Sequence, residues 1–239
     1  MTKIILPKTL KTEDPRYIHL NGKPKLSYSQ YSSWINSEYH HDYIKQYFIG
    51  LILPNNVYAE AGSDAGTYIE WKGMGQDPYK KPQPIVLNKT DYEILDTIID
   101  YPENAIYEDY IVVDCGYFVI EGFADRIEYI PNKGVKILDY KTGSIKKKTA
   151  DYASEDYGQT TLYAYQRHLE GYDILDSEVF LIDRSGNNTP KYPIKLTGEY
   201  KRIQTPFSIE RAEKLIKNIK KTADEISERY QVYLKYFTD

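Results

Sequence analysis

Residues 121–143, EGFADRIEYIPNKGVKILDYKTG, constrain this chain more than any other stretch. They read as two β-strands around a tight turn, and side chains alternate between faces along a strand. Phe123, Asp125, Ile127 and Tyr129 therefore share one face of the first strand, and Val135, Ile137, Asp139 and Lys141 share one face of the second. Pro131-Asn132-Lys133-Gly134 is turn chemistry. A three-residue loop with Gly134 in the left-handed conformation would set Asp125 opposite Lys141 and Ile127 opposite Asp139. Two carboxylates and an ammonium then converge on the apolar face, at the end of the hairpin away from the turn.

An unpaired carboxylate taken out of water is costly, and two side by side raise at least one pKa unless positive charge offsets them. A divalent cation supplies that charge. The pattern thus reads as a metal site with a catalytic ammonium, and a structural Asp–Lys ion pair at a sheet end is the competing reading.

The chain has 239 residues, 28% charged and 41% hydrophobic, which gives ample material for one large domain, and no stretch reads as a linker. Cys115 is the single cysteine, which excludes an internal disulfide, a cysteine-rich zinc site and an iron–sulfur cluster on the chain's own cysteines. It is expected in a buried strand. Of the four histidines only His40 and His41 are adjacent, and none has a zinc partner at motif spacing. No apolar run of 18 residues occurs, and MTKIILPKTL has too short an apolar core for a signal peptide. The expectation is a cytoplasmic protein, or one of the host cytoplasm if viral, without a membrane partner.

A net charge of −4 argues against a strongly basic coat. It leaves nucleic acid open, because a carboxylate-rich site lowers the total and its metal restores positive charge locally. Lysines cluster at 79–82, 141–148 and 214–221. The middle cluster follows Lys141 directly, so Lys146 and Lys147 are the candidates for holding phosphates. There are 26 tyrosines, but Tyr28, Tyr31, Ile35, Tyr39, Tyr43 and Tyr47 recur at helical spacing and read as a core-facing stripe rather than a base-stacking surface.

Along the chain, residues 1–26 read as irregular or short-stranded, broken by Pro7, Pro15 and Pro24. A helix capped near Ser27 or Ser29 runs in one or two pieces to about Phe48. A second, N-capped by Ser63 or Asp64, carries Glu70, and Glu60 before it is expected to be solvated. A third spans about Thr90 to Tyr101. Residues 109–120 form a strand, the hairpin follows, and a helix from about Ala153 to Leu169 leads to a strand at 177–184. Residues 190–207 are an extended excursion or hairpin, and a long helix from about Ser208 to Tyr236 closes the chain. The sum is an α/β fold: a mixed central sheet flanked by helices, with N-terminal helices and a long C-terminal helix.

GFADRI, then ILDYKTG after a short turn, then YGQTTLYAYQ resemble the RecB-like branch of the PD-(D/E)XK nuclease superfamily, which includes CRISPR-adaptation and phage exonucleases. GTYIEW is similar to the helical segment that carries the first metal ligand, and LSYSQYSSWINSEY is similar to the opening helix. The resemblance implies a restriction-endonuclease-like core at about 57–185, a helical part at 26–56 and an extension at 186–239, all one nuclease domain. It implies that Glu70, Asp125, Asp139 and the backbone carbonyl of Tyr140 bind Mg²⁺ or Mn²⁺, that Lys141 is catalytic, and that Gln159 and Tyr163 are a Q-x-x-x-Y pair on the substrate. Gln159 and Tyr163 are four apart and so share a helix face.

The flanking cysteines that hold an iron–sulfur cluster in several relatives are missing, so no cluster is expected, and GSDAGTYIE lacks the Gly-Lys-Ser/Thr of a phosphate-binding loop. The chemistry agrees independently with the resemblance. Phosphodiester hydrolysis needs an activated water and a stabilised developing charge, and carboxylate-held Mg²⁺ supplies both. The expectation is a Mg²⁺-dependent DNA nuclease, an exonuclease of recombination, repair or phage DNA processing, acting on DNA ends and working beside recombination or replication proteins. A catalytically silent DNA-binding or assembly protein on the same fold is the alternative.

Overall fold

The computed structural model describes residues 4–7, 15–52, 56–80, 86–154 and 157–237. Lys81 and Pro82 of the first lysine cluster lie outside them. The chain divides into two compact units, each assembled from separated segments. One comprises Met1–Pro54, Tyr110–Phe123 and Ser208–Asp239, and the other comprises Asn55–Asp109 and Ala124–Phe207. The strands form a mixed six-stranded sheet with flanking helices, the arrangement the sequence predicts.

In the first unit, β1 (Lys25–Ser27) pairs in parallel with the opening residues of β3 (Val119–Ile130). Ser27 caps α1 (Tyr28–Asn36) in a reciprocal capping box with Gln30. The expected continuation to Phe48 is broken. A 3-10 turn (Glu38–His40), a single turn α2 (His41–Tyr43) and a π-helical turn (Ile44–Phe48) follow, because Tyr39 and His40 adopt left-handed backbone. The tyrosine stripe is consequently mixed: Tyr31 and Tyr43 are buried, whereas Ile35 and Tyr39 are exposed. Later, α7 (Ile209–Phe237) buries Ala212, Ile216, Ile219, Ala223 and Ile226 at alternating spacings of four and three, the signature of one apolar face. The lysines of 214–221 fall mainly between these positions, on the solvated side.

In the second unit, α3 (Val57–Gly73) starts a full turn and more before the expected cap, with Asn56 accepting from the N–H groups of Tyr58 and Ala59. Asp64 therefore caps nothing on its own helix. It is buried mid-helix, where Oδ2 accepts the N–H groups of Val86 and Leu87 at 2.7 and 2.9 Å. Asn88 caps α4 (Lys89–Ile98) in another capping box.

The strand expected at 109–120 is in fact parts of two, β2 (Ala105–Asp114) and β3, joined by a turn at 115–118. Cys115 sits in that turn, free and buried as expected but outside any strand.

β3 and β4 (Gly134–Gly143) form the predicted hairpin in a different register: Ile127 faces Ile137 and Ile130 faces Gly134. The shift is two residues, an even number, so every side chain keeps its face. The turn explains the change. Asn132 takes the left-handed conformation after Pro131 (φ 58°), and Gly134 sits at φ 143° with its Cα side so close to Asp173 that a Cβ would lie 2.1 Å from the Asp173 carbonyl oxygen.

β4 then pairs in parallel with β5 (Ile174–Ser185), and β5 pairs antiparallel with β6 (Lys195–Gln204). The crossover helix expected at about 153–169 is preceded by a further, unexpected helix, α5 (Ile145–Ala153), and starts later, as α6 (Gln159–Leu169). β4 is covered on both faces. Leu138 and Tyr140 join a cluster with Ala61, Ala65, Tyr68 and Ile69 of α3. On the β5 side that faces α5 and α6, Val179 and Leu181 cluster with Ile203, Ile145, Tyr152 and Tyr157.

Candidate active site

The hairpin brings Asp125, Asp139 and Lys141 together. Lys141 Nζ lies 2.5 Å from Asp139 Oδ2, and Asp125 Oδ2 accepts the backbone N–H of Tyr140 at 2.6 Å. Asp139 is wholly buried, whereas the Lys141 side chain keeps 26% of its surface exposed. The apolar neighbours of Asp139 on its own face, Ile137 of β4 and Val179 beside it on β5, are fully buried.

Burial in this setting pushes the Asp125 carboxyl up to about 7, Asp139 adds to the rise, and Lys141 and the Tyr140 N–H oppose it. Burial works against the Lys141 ammonium, but Asp139 and Asp125 outweigh it and hold the group above the usual lysine range. A smaller push on Asp125 comes from Glu108, a β2 residue with left-handed backbone (φ 51°).

Asp139 also accepts a bond that sequence reasoning missed. The hydroxyl of Tyr157 donates to Oδ2 at 2.7 Å. Tyr157 precedes the expected Gln159 by two positions, but as one of 26 tyrosines it carries no distinguishing signal. Gln159 Nε2 donates to the Tyr163 hydroxyl at 2.7 Å, which joins the two predicted partners one helical turn apart. The Tyr163 phenol is pushed well up, first by burial and then by Asp139 and Asp125. α6 is anchored for this purpose by Arg167, fully buried, which pairs with Asp109 of β2 while Tyr129 of β3 donates to the same carboxylate at 2.9 Å.

On the other face of β4, Arg126 donates to the Tyr140 hydroxyl at 2.9 Å and to the Asp100 carbonyl at 2.6 Å, which clamps the strand at the position between Asp139 and Lys141. Lys146 and Lys147 are exposed in the first turn of α5.

Glu70 rides on α3. Along the stripe of α3 that contains it, Gly62 approaches Thr142 of β4 (3.1 Å to a built Cβ) and Gly73 approaches Tyr107 of β2. That stripe lies on the Leu138–Tyr140 face of the sheet, opposite the face of Asp139 and Lys141, so the fold does not bring Glu70 to the hairpin carboxylates by packing alone. Among the described residues, no three His, Cys, Asp or Glu side chains are drawn close enough to hold a metal ion by themselves.

What fits a cation is the donor chemistry: Asp139 Oδ1 is buried without a hydrogen-bond partner, beside a second carboxylate. Hard oxygen donors of this kind suit Mg²⁺, which retains several waters and is commonly held by one or two carboxylates plus substrate phosphate.

The model of the PD-(D/E)XK nuclease superfamily matches residues 77–233, well over half of the sequence. The chain belongs to the PD-(D/E)XK nuclease superfamily. Membership suggests a nuclease, with nucleic acid as substrate and a divalent metal as the typical cofactor of the superfamily. A solved crystal structure similar to this PD-(D/E)XK chain is that of SSO0001, at 14% identity and a TM-score of 0.34, covering 73% of this chain and 78% of that one. No curated protein matches the PD-(D/E)XK chain. Among its described residues no helix is long and apolar enough to cross a membrane.

Proposed function

We propose that this PD-(D/E)XK protein is a Mg²⁺-dependent DNA nuclease of the RecB-like branch, an exonuclease of recombination, repair or phage DNA processing. The observation that carries the reading is the division of Asp139: Oδ2 is taken by Lys141 and Tyr157, while Oδ1 is buried and unpartnered. A purely structural ion pair would account for the Lys141 contact but leaves Oδ1 unexplained.

Asp125, Asp139 and the carbonyl of Tyr140 would hold the cation, with Glu70 as the further ligand that the resemblance implies. The cation when bound supplies charge that activates water and stabilises the developing phosphate charge. Lys141 presents a permanent positive charge beside the reacting phosphate and orients water. Gln159 and Tyr163 position the strand, and Lys146 and Lys147 neutralise flanking phosphates.

The test is digestion of end-labelled linear duplex, single-stranded and covalently closed circular DNA with Mg²⁺, with Mn²⁺ and with chelator. Linear substrates are expected to shorten from their ends with either cation while circles survive. Cut circles would replace the exonuclease reading with an endonuclease, and no cleavage with either cation would favour the silent DNA-binding protein.

A further inference from the structure

We propose that Tyr157 is a positioning residue of this site, whose hydroxyl holds Asp139 so that Oδ1 is the oxygen presented to a divalent cation. The proposal rests on the nuclease reading and adds to it a residue to which the resemblance gives no role.

A carboxylate oxygen offers about two lone-pair directions. Oδ2 of Asp139 receives the Tyr157 hydroxyl at 2.7 Å and Lys141 Nζ at 2.5 Å, so both of its directions are used. Oδ1 is buried and has no partner. The carboxylate is thereby divided, one oxygen for the protein and one for a ligand.

Tyr157 is well built for this task. Its ring meets Tyr152 of α5 edge-on at 5.2 Å and 81°, and both rings pack on Val179, Leu181 and Ile203. Rigid packing makes the hydroxyl a fixed point, whereas Lys141 is a flexible chain with surface exposure and cannot set the carboxylate's rotation alone. The hydroxyl also lies 3.3 Å from Gln159 Oε1, and Gln159 in turn donates to Tyr163. Tyr157 has a single proton, and the shorter contact assigns it to Asp139. One hydroxyl thus ties the metal-binding carboxylate to the pair proposed to position the strand.

The experiment uses the full chain, with Mn²⁺ alone as the probe in titration calorimetry and DNA turnover as a second readout. Tyr157→Phe keeps the ring and its contact with Tyr152 and removes only the hydroxyl. Loss of a hydrogen bond behind a metal ligand is expected to weaken Mn²⁺ binding or turnover by about 10- to 100-fold. KM for DNA and the cation-free melting temperature should stay close to wild type, which a merely structural role would not allow. Wild-type Mn²⁺ affinity and turnover in Tyr157→Phe would overturn the proposal and leave the nuclease reading standing. A wild-type protein that binds no Mn²⁺ would overturn both.

Should Tyr157→Phe fail to fold, 3-fluorotyrosine incorporated at position 157 retains the hydroxyl and reports on it. Its fluorine resonance should shift on Mg²⁺ addition with the midpoint of cation binding, and an unmoved resonance would overturn the proposal.

Discussion

Lys141 Nζ stands 2.5 Å from Asp139 Oδ2, two positions along the same face of β4. The ammonium compensates the buried carboxylate in the absence of a cation, yet it occupies only one of the two oxygens. Lysine and cation can therefore be present together, each on its own oxygen.

Lys141→Ala should accordingly separate chemistry from metal binding. Removing one preorganised charge from a hydrolytic site lowers turnover by about 10²- to 10³-fold. Mn²⁺ affinity should hold or increase, because a like charge has left the neighbourhood. Single-turnover cleavage and calorimetric titration of the same preparation check the two expectations. Near wild-type cleavage would remove Lys141 from the mechanism.

The raised Asp125 carboxyl gives a pH dependence with a definite sign. A carboxyl lifted from 3.8 to about 7 in the folded chain favours its protonated form. Its contribution to stability is full below the unfolded value and is lost as pH rises through the folded value. Without divalent cation, the melting temperature should fall between about pH 4 and pH 7, and Asp125→Asn should flatten that fall. Mg²⁺ competes with the proton, so its affinity should grow with pH across the same window and its addition should restore stability at the upper end. Melting curves of both proteins with and without Mg²⁺ test this.

Gln159→Ala and Tyr163→Phe each break the 2.7 Å bond that joins the pair. Both should reduce turnover and raise KM for DNA while leaving Mn²⁺ affinity near wild type, since neither side chain contributes a ligand to the proposed metal site. Tyr163 is buried, so melting temperatures must be measured alongside. A stability loss large enough to explain the lost activity would return Tyr163 to a packing role.

Three acidic residues of α3 should behave differently. Glu70→Gln is expected to weaken Mg²⁺ binding and cut turnover, the outcome that the ligand role implied by the resemblance requires. Glu60→Gln, in the first turn, should do neither. Asp64→Asn should cost stability by about 1–3 kcal/mol without changing cation affinity, because the carboxylate serves the buried N–H of Leu87 and that of Val86. Calorimetry for the cation and chemical denaturation for stability distinguish the three. Unchanged Mg²⁺ affinity in Glu70→Gln would confine the metal shell to the hairpin.

The pairing of Ile127 with Ile137 shows what a sequence of this kind determines by itself. Alternation is a property of each strand alone, so the shared face of Asp125, Asp139 and Lys141 was legible from residue order, and a two-residue change of register left it intact. Helix stops and starts were less secure. The left-handed residues Tyr39 and His40 break the first helix, and the early cap at Asn56 lengthens α3, because local cap and turn conformations depend on contacts beyond the window of a periodic pattern.

Contacts between segments distant in sequence were decided by the tertiary structure alone. Asp64 reads as a cap from its neighbours, but its acceptors are committed to a loop more than 20 residues away. Tyr157 reads as one tyrosine among many, and it gains a role only because its ring packs against Val179 and Leu181 of β5 and Ile203 of β6 while its hydroxyl reaches Asp139. The strand period can place two carboxylates and a lysine on one face, because that is geometry within a single chain segment. Which oxygen of Asp139 is already satisfied and which is left for a ligand depends on donors brought by a different segment, and only packing of the whole unit sets their distance.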